Sequence, residues 1–217
     1  MKNKLGCILI LSIISTLPLA VAADDSSKTY FSAGMMNMTD KGLDVLKASG
    51  VTIDDSDTVA TFSLGYRVSP NLALEGSIIS GGEVSATMSG GESGTLYGQT
   101  YTVSGTVSVK AKSDSSYMLG LKYSGGSGPL SINIKAGQLF WDVDYIASVS
   151  GTLVYDGYGY SGSSSTTFHT ADGNDPYMGF GISYAFSKDS SIDLDYISTE
   201  INDSDMSGYS LSWVVNF

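Results

Sequence analysis

Tyr177-Met178-Gly179-Phe180-Gly181-Ile182-Ser183-Tyr184-Ala185-Phe186 alternates large apolar side chains at the even positions with small ones at most of the odd positions. Successive side chains of a strand point to opposite faces, so this stretch reads as a strand with one fully apolar face. The same period recurs outward along the chain. Ala60, Phe62, Leu64, Tyr66 and Val68 oppose Thr61, Ser63, Gly65 and Arg67; Leu72, Leu74, Gly76 and Ile78 oppose Ala73, Glu75 and Ser77, with Ile79 breaking the pattern. Tyr117, Leu119, Leu121 and Tyr123 oppose Ser116, Gly120 and Lys122, and Leu130, Ile132, Ile134 and Ala136 oppose Ser131, Asn133, Lys135 and Gly137. Ile192, Leu194 and Tyr196 oppose Asp193 and Asp195, and Tyr209, Leu211, Trp213, Val215 and Phe217 oppose Ser210, Ser212 and Asn216. A first strand, Tyr30 to Met38, carries methionine on both faces. The expected number of strands is eight.

The connections alternate in length. Ser69-Pro70-Asn71, Gly125 to Pro129 and Ser187 to Ser191 are short and have turn chemistry. The intervening segments, near residues 39–57, 141–175 and 200–207, are expected to be loops, the first two of them long. Between strands three and four the alternation runs on through Val84, Ala86 and Met88 and resumes at Tyr101, Val103, Val107 and Val109. Both strands thus exceed the ~9–11 residues that cross a bilayer. A protruding ribbon is predicted, with its tip near Gly90 to Gly98 and unpaired edges on its flanks. Short turns at one end and long connections at the other describe an all-β, antiparallel, up-and-down transmembrane barrel. Tyr30 or Phe31, Tyr66, Tyr123, Phe186 and Phe217 fall at the short-turn end, where an interfacial aromatic girdle belongs.

Met1 to Ala23 has lysines at positions 2 and 4, an apolar run from Leu5 to Leu17 and a small-residue end at Ala20-Val21-Ala22-Ala23. This reads as a signal peptide cleaved after Ala22 or Ala23, leaving residues 24–217 as the barrel domain. The single cysteine, Cys7, falls inside it, so the mature chain has neither disulfide nor thiol chemistry. The formal charge of −11 argues against nucleic acid as a partner, because phosphate binding needs a basic footprint. Glycine (26), tyrosine (14) and a charged fraction of only 15% favour strands and turns.

Six ionisable residues lie within the strand cores: Arg67, Glu75, Lys122, Lys135, Asp193 and Asp195. All fall opposite the apolar face, which points them into a lumen that eight strands leave barely wide enough for side chains. Three bases and three acids there are expected to pair and close the barrel. A polar lumen facing water, and a narrow channel for small solutes, are the alternatives.

His169, with Thr167, Thr170 and Asp172 nearby, admits a lipid-modifying rim enzyme, although a solvated loop histidine is the plainer reading. The acidic runs Asp54-Asp55-Ser56-Asp57, Asp172-Gly173-Asn174-Asp175 and Asn202-Asp203-Ser204-Asp205 have oxygen ligands for calcium or lipopolysaccharide-bridging ions, yet none completes an EF-hand. Solvated turns explain them more simply. No cofactor, Walker loop or Cys/His metal spacing is expected. Thr39 to Lys47 has the make-up of one or two helical turns.

The leader, the strand Gly179 to Phe186 and the C-terminal strand Tyr209 to Phe217 together resemble the OmpA/OmpX-like eight-stranded outer-membrane barrels, also called the porin or outer-membrane β-barrel family. The resemblance implies an outer-membrane location in a Gram-negative envelope, with lipid and lipopolysaccharide around the wall. It implies a non-enzymatic surface role in adhesion, colonisation, serum resistance or envelope integrity, with an extracellular protein ligand. It also implies that Tyr209, Trp213, Val215 and Phe217 form the signal read by the barrel-assembly machinery. The peptidoglycan-binding domain of full OmpA proteins has no counterpart here, so tethering to the wall is not expected.

Overall fold

The structure, a computed structural model, describes residues 28–43 and 51–217. The signal-peptide reading and most of the helical turn expected over residues 39–47 lie outside the described residues; Lys41–Leu43 form a single 3-10 turn. The elements are β1 (Thr29–Asp40), β2 (Thr52–Asp54), β3 (Ser56–Ser69), β4 (Leu72–Leu96), β5 (Gln99–Ser127), β6 (Leu130–Tyr155), β7 (Tyr158–Ala185), β8 (Ser190–Ile201) and β9 (Ser204–Asn216). Leaving aside the three-residue β2, every strand pairs antiparallel with its neighbours in the chain, and β1 pairs with β9, so eight strands close into a ring. Closure removes the edges that an open sheet would leave unpaired in a bilayer.

The alternation sorts as the pattern predicts. Phe62, Leu64, Ile78, Leu119, Ile132, Ile134, Phe180, Ile182, Leu194 and Leu211 are all exposed on the outside of the wall. So wide an apolar belt on a folded chain is a lipid-facing surface. Phe31, Tyr66, Tyr123, Phe186 and Phe217 are exposed at the short-turn end. Tyr30 turns inward instead and is almost fully buried. Tyr196, nearer the other end, packs between Phe180 and Tyr209 in tilted geometry, with ring centroids 5.3 and 5.1 Å apart.

At the upper end, where the connections are long, the structure departs from the expected loops. Residues 141–175 are not a loop: β6 and β7 stay paired up to the tip at Asp156-Gly157, with one register shift between Tyr145 and Ile146. The β4–β5 ribbon turns at Tyr97-Gly98, as predicted, and β5 and β6 pair along it from Tyr101↔Tyr155 to Lys112↔Asp144. The two ribbons therefore form one four-stranded fin. Both tips place two consecutive residues at positive φ (Tyr97 54°, Gly98 83°; Asp156 49°, Gly157 81°), the backbone that tight two-residue hairpins require. Of the two flanks expected to be free, that of β5 is paired with β6 from Tyr101 to Lys112, whereas that of β4 meets a strand only at Ser85–Thr87 and, among the described residues, lacks one at residues 80–84 and from Met88 onward. The outer edge of β7 from Tyr158 to Pro176 likewise has no strand partner among the described residues.

Alternation read from β5 alone misassigns the faces of the fin. The β5–β6 ladder shifts register between Lys112 and Tyr117, a bulge that swaps the sides of the strand. Above it, Ala111 lies over the lumen while Tyr117 below faces out. Residues directly opposite share a face, so Met88, Val107 and Val149 form one row of an apolar face and Ala86, Val109 and Ala147 another. The reverse face is a hydroxyl ladder. Thr87 Oγ1 donates to Ser108 Oγ at 3.2 Å, and the Ser89–Thr106 and Ser148–Ser165 hydroxyl pairs each stand 2.9 Å apart.

Candidate functional site: the closed lumen and its upper cavity

Five of the six predicted lumen residues join in two clusters. Lys122 on β5 donates to Asp193 Oδ2 on β8 at 2.5 Å, with both side chains buried. Lys135 on β6 sits between two acids, 3.1 Å from Glu75 Oε1 and 2.8 Å from Asp195 Oδ2. Arg67, nearer the short-turn end, donates to Asn216 Oδ1 at 2.7 Å, and its guanidinium lies over the Tyr30 ring, 5.1 Å from the centroid. Opposite charges brought together in a space closed to solvent are retained only when paired, since an isolated one carries a desolvation penalty of several kcal/mol.

The pairs are set in a polar scaffold that alternation does not reveal. The Tyr30 hydroxyl donates to Glu75 Oε2 at 2.6 Å, and its ring lies across Gly65, where an added Cβ would stand 2.0 Å from the ring. Tyr177 lies likewise over Gly137 on β6. Asn133, with no accessible surface, donates to Ser183 Oγ at 2.5 Å and accepts from Ser124 Oγ at 2.8 Å. The space left in this layer is about 20 Å³.

Above the charges lies an apolar layer that periodicity missed: Met36, Val59, Ile79, Met118, Leu139 and Ile197, all buried, with Trp141, Val143 and Tyr177 packed against them. Ile79, which breaks the pattern of β4, belongs here, and that break is the signal in the sequence. Leu139, Trp141 and Val143 sit two residues apart, the period of a buried face, and so continue the strand into the segment expected to be a loop from residue 141. The lumen is thus two blind cavities, about 290 Å³ at the short-turn end and about 330 Å³ at the upper end, separated by the ionic and apolar layers.

The wall beside the upper cavity is joined unusually. The β3–β4 ladder ends at Thr61↔Ile79. Beyond it, side chains carry the seam: the Ala60 amide donates to Ser80 Oγ at 2.9 Å, and the Glu83 amide donates to Asp57 Oδ2 at 2.9 Å.

His169 stacks on Tyr145, 5.6 Å between centroids, and among the described residues no carboxylate or hydroxyl hydrogen-bonds it. Thr170 bonds Asp144 instead, through Oγ1 to Oδ1 at 2.6 Å. Two members of the acidic runs act as structural acceptors: Asp175 Oδ2 takes the Trp141 indole N–H at 2.7 Å, and Asp57 serves the seam. Among the described residues no three metal-ligating side chains converge.

No protein-family model matches the chain, and no curated protein matches it. Among solved structures, the attachment invasion locus protein Ail of Yersinia pestis is 11% identical, with 88% of this chain and 99% of that one covered and a TM-score of 0.39. Neisserial surface protein A is 11% identical over 89% of this chain and 100% of its own, TM-score 0.40. The outer membrane protein OprG from Pseudomonas aeruginosa is 10% identical over 88% and 94%, TM-score 0.41. The closed ladder and the apolar belt by themselves make this chain an eight-stranded transmembrane β-barrel.

Proposed function

We propose that this protein is an outer-membrane surface barrel that works by contact rather than by passage. The observation that carries the reading is the pairing of a lumen closed by two successive layers with a four-stranded fin standing beyond the wall. The barrel is the anchor, held by lipid and lipopolysaccharide around its belt, and the fin is the working surface. The fin offers an apolar face, a hydroxyl face and exposed tyrosines at Tyr97, Tyr158 and Tyr160, a combination suited to an extracellular protein ligand in adhesion or colonisation. Export through the leader at Met1 to Ala23 and assembly through Tyr209, Trp213, Val215 and Phe217 complete the proposal. The closed lumen speaks against the channel alternative, and the lack, among the described residues, of a hydrogen bond from His169 to an acid or hydroxyl speaks against a rim enzyme.

The test is an in-register excision of the fin. Thr87 opposes Ser108 and Ser148 opposes Ser165, so residues 88–107 and 149–164 are each replaced by a two-residue turn. The shortened protein should still fold, judged by heat-modifiable migration and β-sheet circular dichroism, while cells displaying it lose adherence to host matrix protein. Undiminished adherence, or steady conductance from the wild-type protein in a planar bilayer, would overturn the reading.

A further inference from the structure

The upper cavity is not absorbed by the anchoring role. Its floor and walls are mainly apolar, formed by Val59, Ile79, Leu139, Val143, Ile201 and Met206. At about 330 Å³ it falls at the small end of the ~300–1,000 Å³ typical of small-molecule sites. Among the described residues the charged groups in its wall are of one sign: Asp40, Asp57 and Glu83 line it, and no lysine or arginine does. Glu83 is neutralised by Lys110 at 2.6 Å. Asp40 and Asp57 receive only neutral donors among the described residues: Asp40 Oδ1 from the Gly42 amide and the Ser204 hydroxyl, Asp57 from the Thr58 and Glu83 amides. An apolar pocket walled by two carboxylates with no cationic partner among the described residues complements one class of ligand, a molecule with an apolar body and a cationic head.

We propose that the upper cavity is a binding site for small amphiphilic cations of the alkylamine type. The chain enters the apolar floor and the ammonium remains beside Asp40 and Asp57, where it keeps part of its hydration. The ionic and apolar layers beneath make the site a dead end, so the ligand is held and not passed. Val84, Ala111 and Tyr145 form both the cavity wall and the first row of the fin's apolar face, so a longer chain has a continuous apolar path outward. The site is independent of the contact role, and binding can be found or lost without any change in adherence.

The protein has two tryptophans, Trp141 and Trp213. Trp213 is exposed on the lipid face, whereas Trp141 is buried in the apolar cluster that includes Leu139 and Val143, two residues that line the cavity. In a Trp213→Phe background, reconstituted in zwitterionic nanodiscs, Trp141 is the sole reporter. Titration with ω-bromo-octylamine at neutral pH should quench it saturably, with ω-bromo-octanoate at least roughly tenfold weaker, as two nearby carboxylates dictate. Asp40→Asn keeps the one oxygen that accepts from Gly42 and Ser204, and Asp57→Asn keeps one of its two accepting oxygens; together they should weaken the amine by a similar factor. Ala111→Phe fills the cavity and should abolish saturation. Quenching that is linear and equal for amine and carboxylate, or that survives Ala111→Phe in a correctly folded barrel, would overturn the proposal; so would no quenching at all, which would mean that the chain itself fills the space.

Discussion

Lys122 and Asp193 meet across the lumen from strands on opposite walls, Nζ to Oδ2 at 2.5 Å, and neither has more than a tenth of its side chain exposed. The contact joins β5 to β8, which are not neighbours in the sheet, so it braces the barrel in a direction that backbone hydrogen bonds do not. A brace of two buried charges has an asymmetric energetic signature.

Removing one partner should be costly and removing both much less so. Lys122→Met leaves Asp193 buried and unpaired, and is expected to destabilise the refolded protein by about 3–5 kcal/mol. The double variant Lys122→Met with Asp193→Leu should recover most of that loss. Urea unfolding in lipid vesicles checks both. Equal destabilisation in the single and double variants would show that the pair has no coupling.

Closure by two layers predicts that neither is the sole seal. Lys135→Ala, which separates Glu75 from Asp195, should remain silent in a planar bilayer because Met36 and Leu139 still block the bore. Adding Met36→Gly and Leu139→Gly should open a cation-selective conductance, the lumen now holding more acids than bases. Conductance from Lys135→Ala alone would make the ionic layer the whole seal.

Gly65 and Tyr30 should be mutually dependent. A Cβ at Gly65 collides with the Tyr30 ring, so Gly65→Ala must displace the ring and break its bond to Glu75. The expected loss is about 2 kcal/mol, the range for a hydrogen bond to a charged group plus local repacking. In a Tyr30→Ala background the same change at Gly65 should have little further effect. A thermodynamic cycle on the four proteins measures the coupling.

The side-chain seam between β3 and β4 should open more readily than the ladder below it. Amide exchange at Ala60 should be faster than at Phe62, which lies within the ladder. Ser80→Ala removes the acceptor for the Ala60 amide and should speed that amide roughly threefold to tenfold, equivalent to one net hydrogen bond. Exchange unchanged by Ser80→Ala would mean that the seam is held by other contacts.

Much of this architecture was legible in the residues because a bilayer and a narrow bore impose opposite demands on the two faces of each strand. Phe62, Leu64, Phe180 and Ile182 declared the lipid face, and Arg67, Glu75, Lys122, Lys135, Asp193 and Asp195 declared the lumen, through parity alone. Parity also carried the strand count, the short turns and the tip of the first ribbon.

What tertiary structure alone decided are the matters that depend on register between strands, which alternation within one strand does not contain. Which acid meets which base, Tyr30 bonding Glu75 across Gly65, and the four-stranded fin all follow from pairings of residues far apart in sequence. The bulge between Lys112 and Tyr117 swaps faces without any marker in composition, so Val107 and Val109 fall on the side that parity assigns elsewhere. The upper apolar layer was hidden for a related reason: inside a barrel an apolar residue is admissible wherever its neighbours on other strands are also apolar. Met36, Ile79 and Leu139 become one layer, with Ile79 and Leu139 in the floor of one cavity, only when the ring closes.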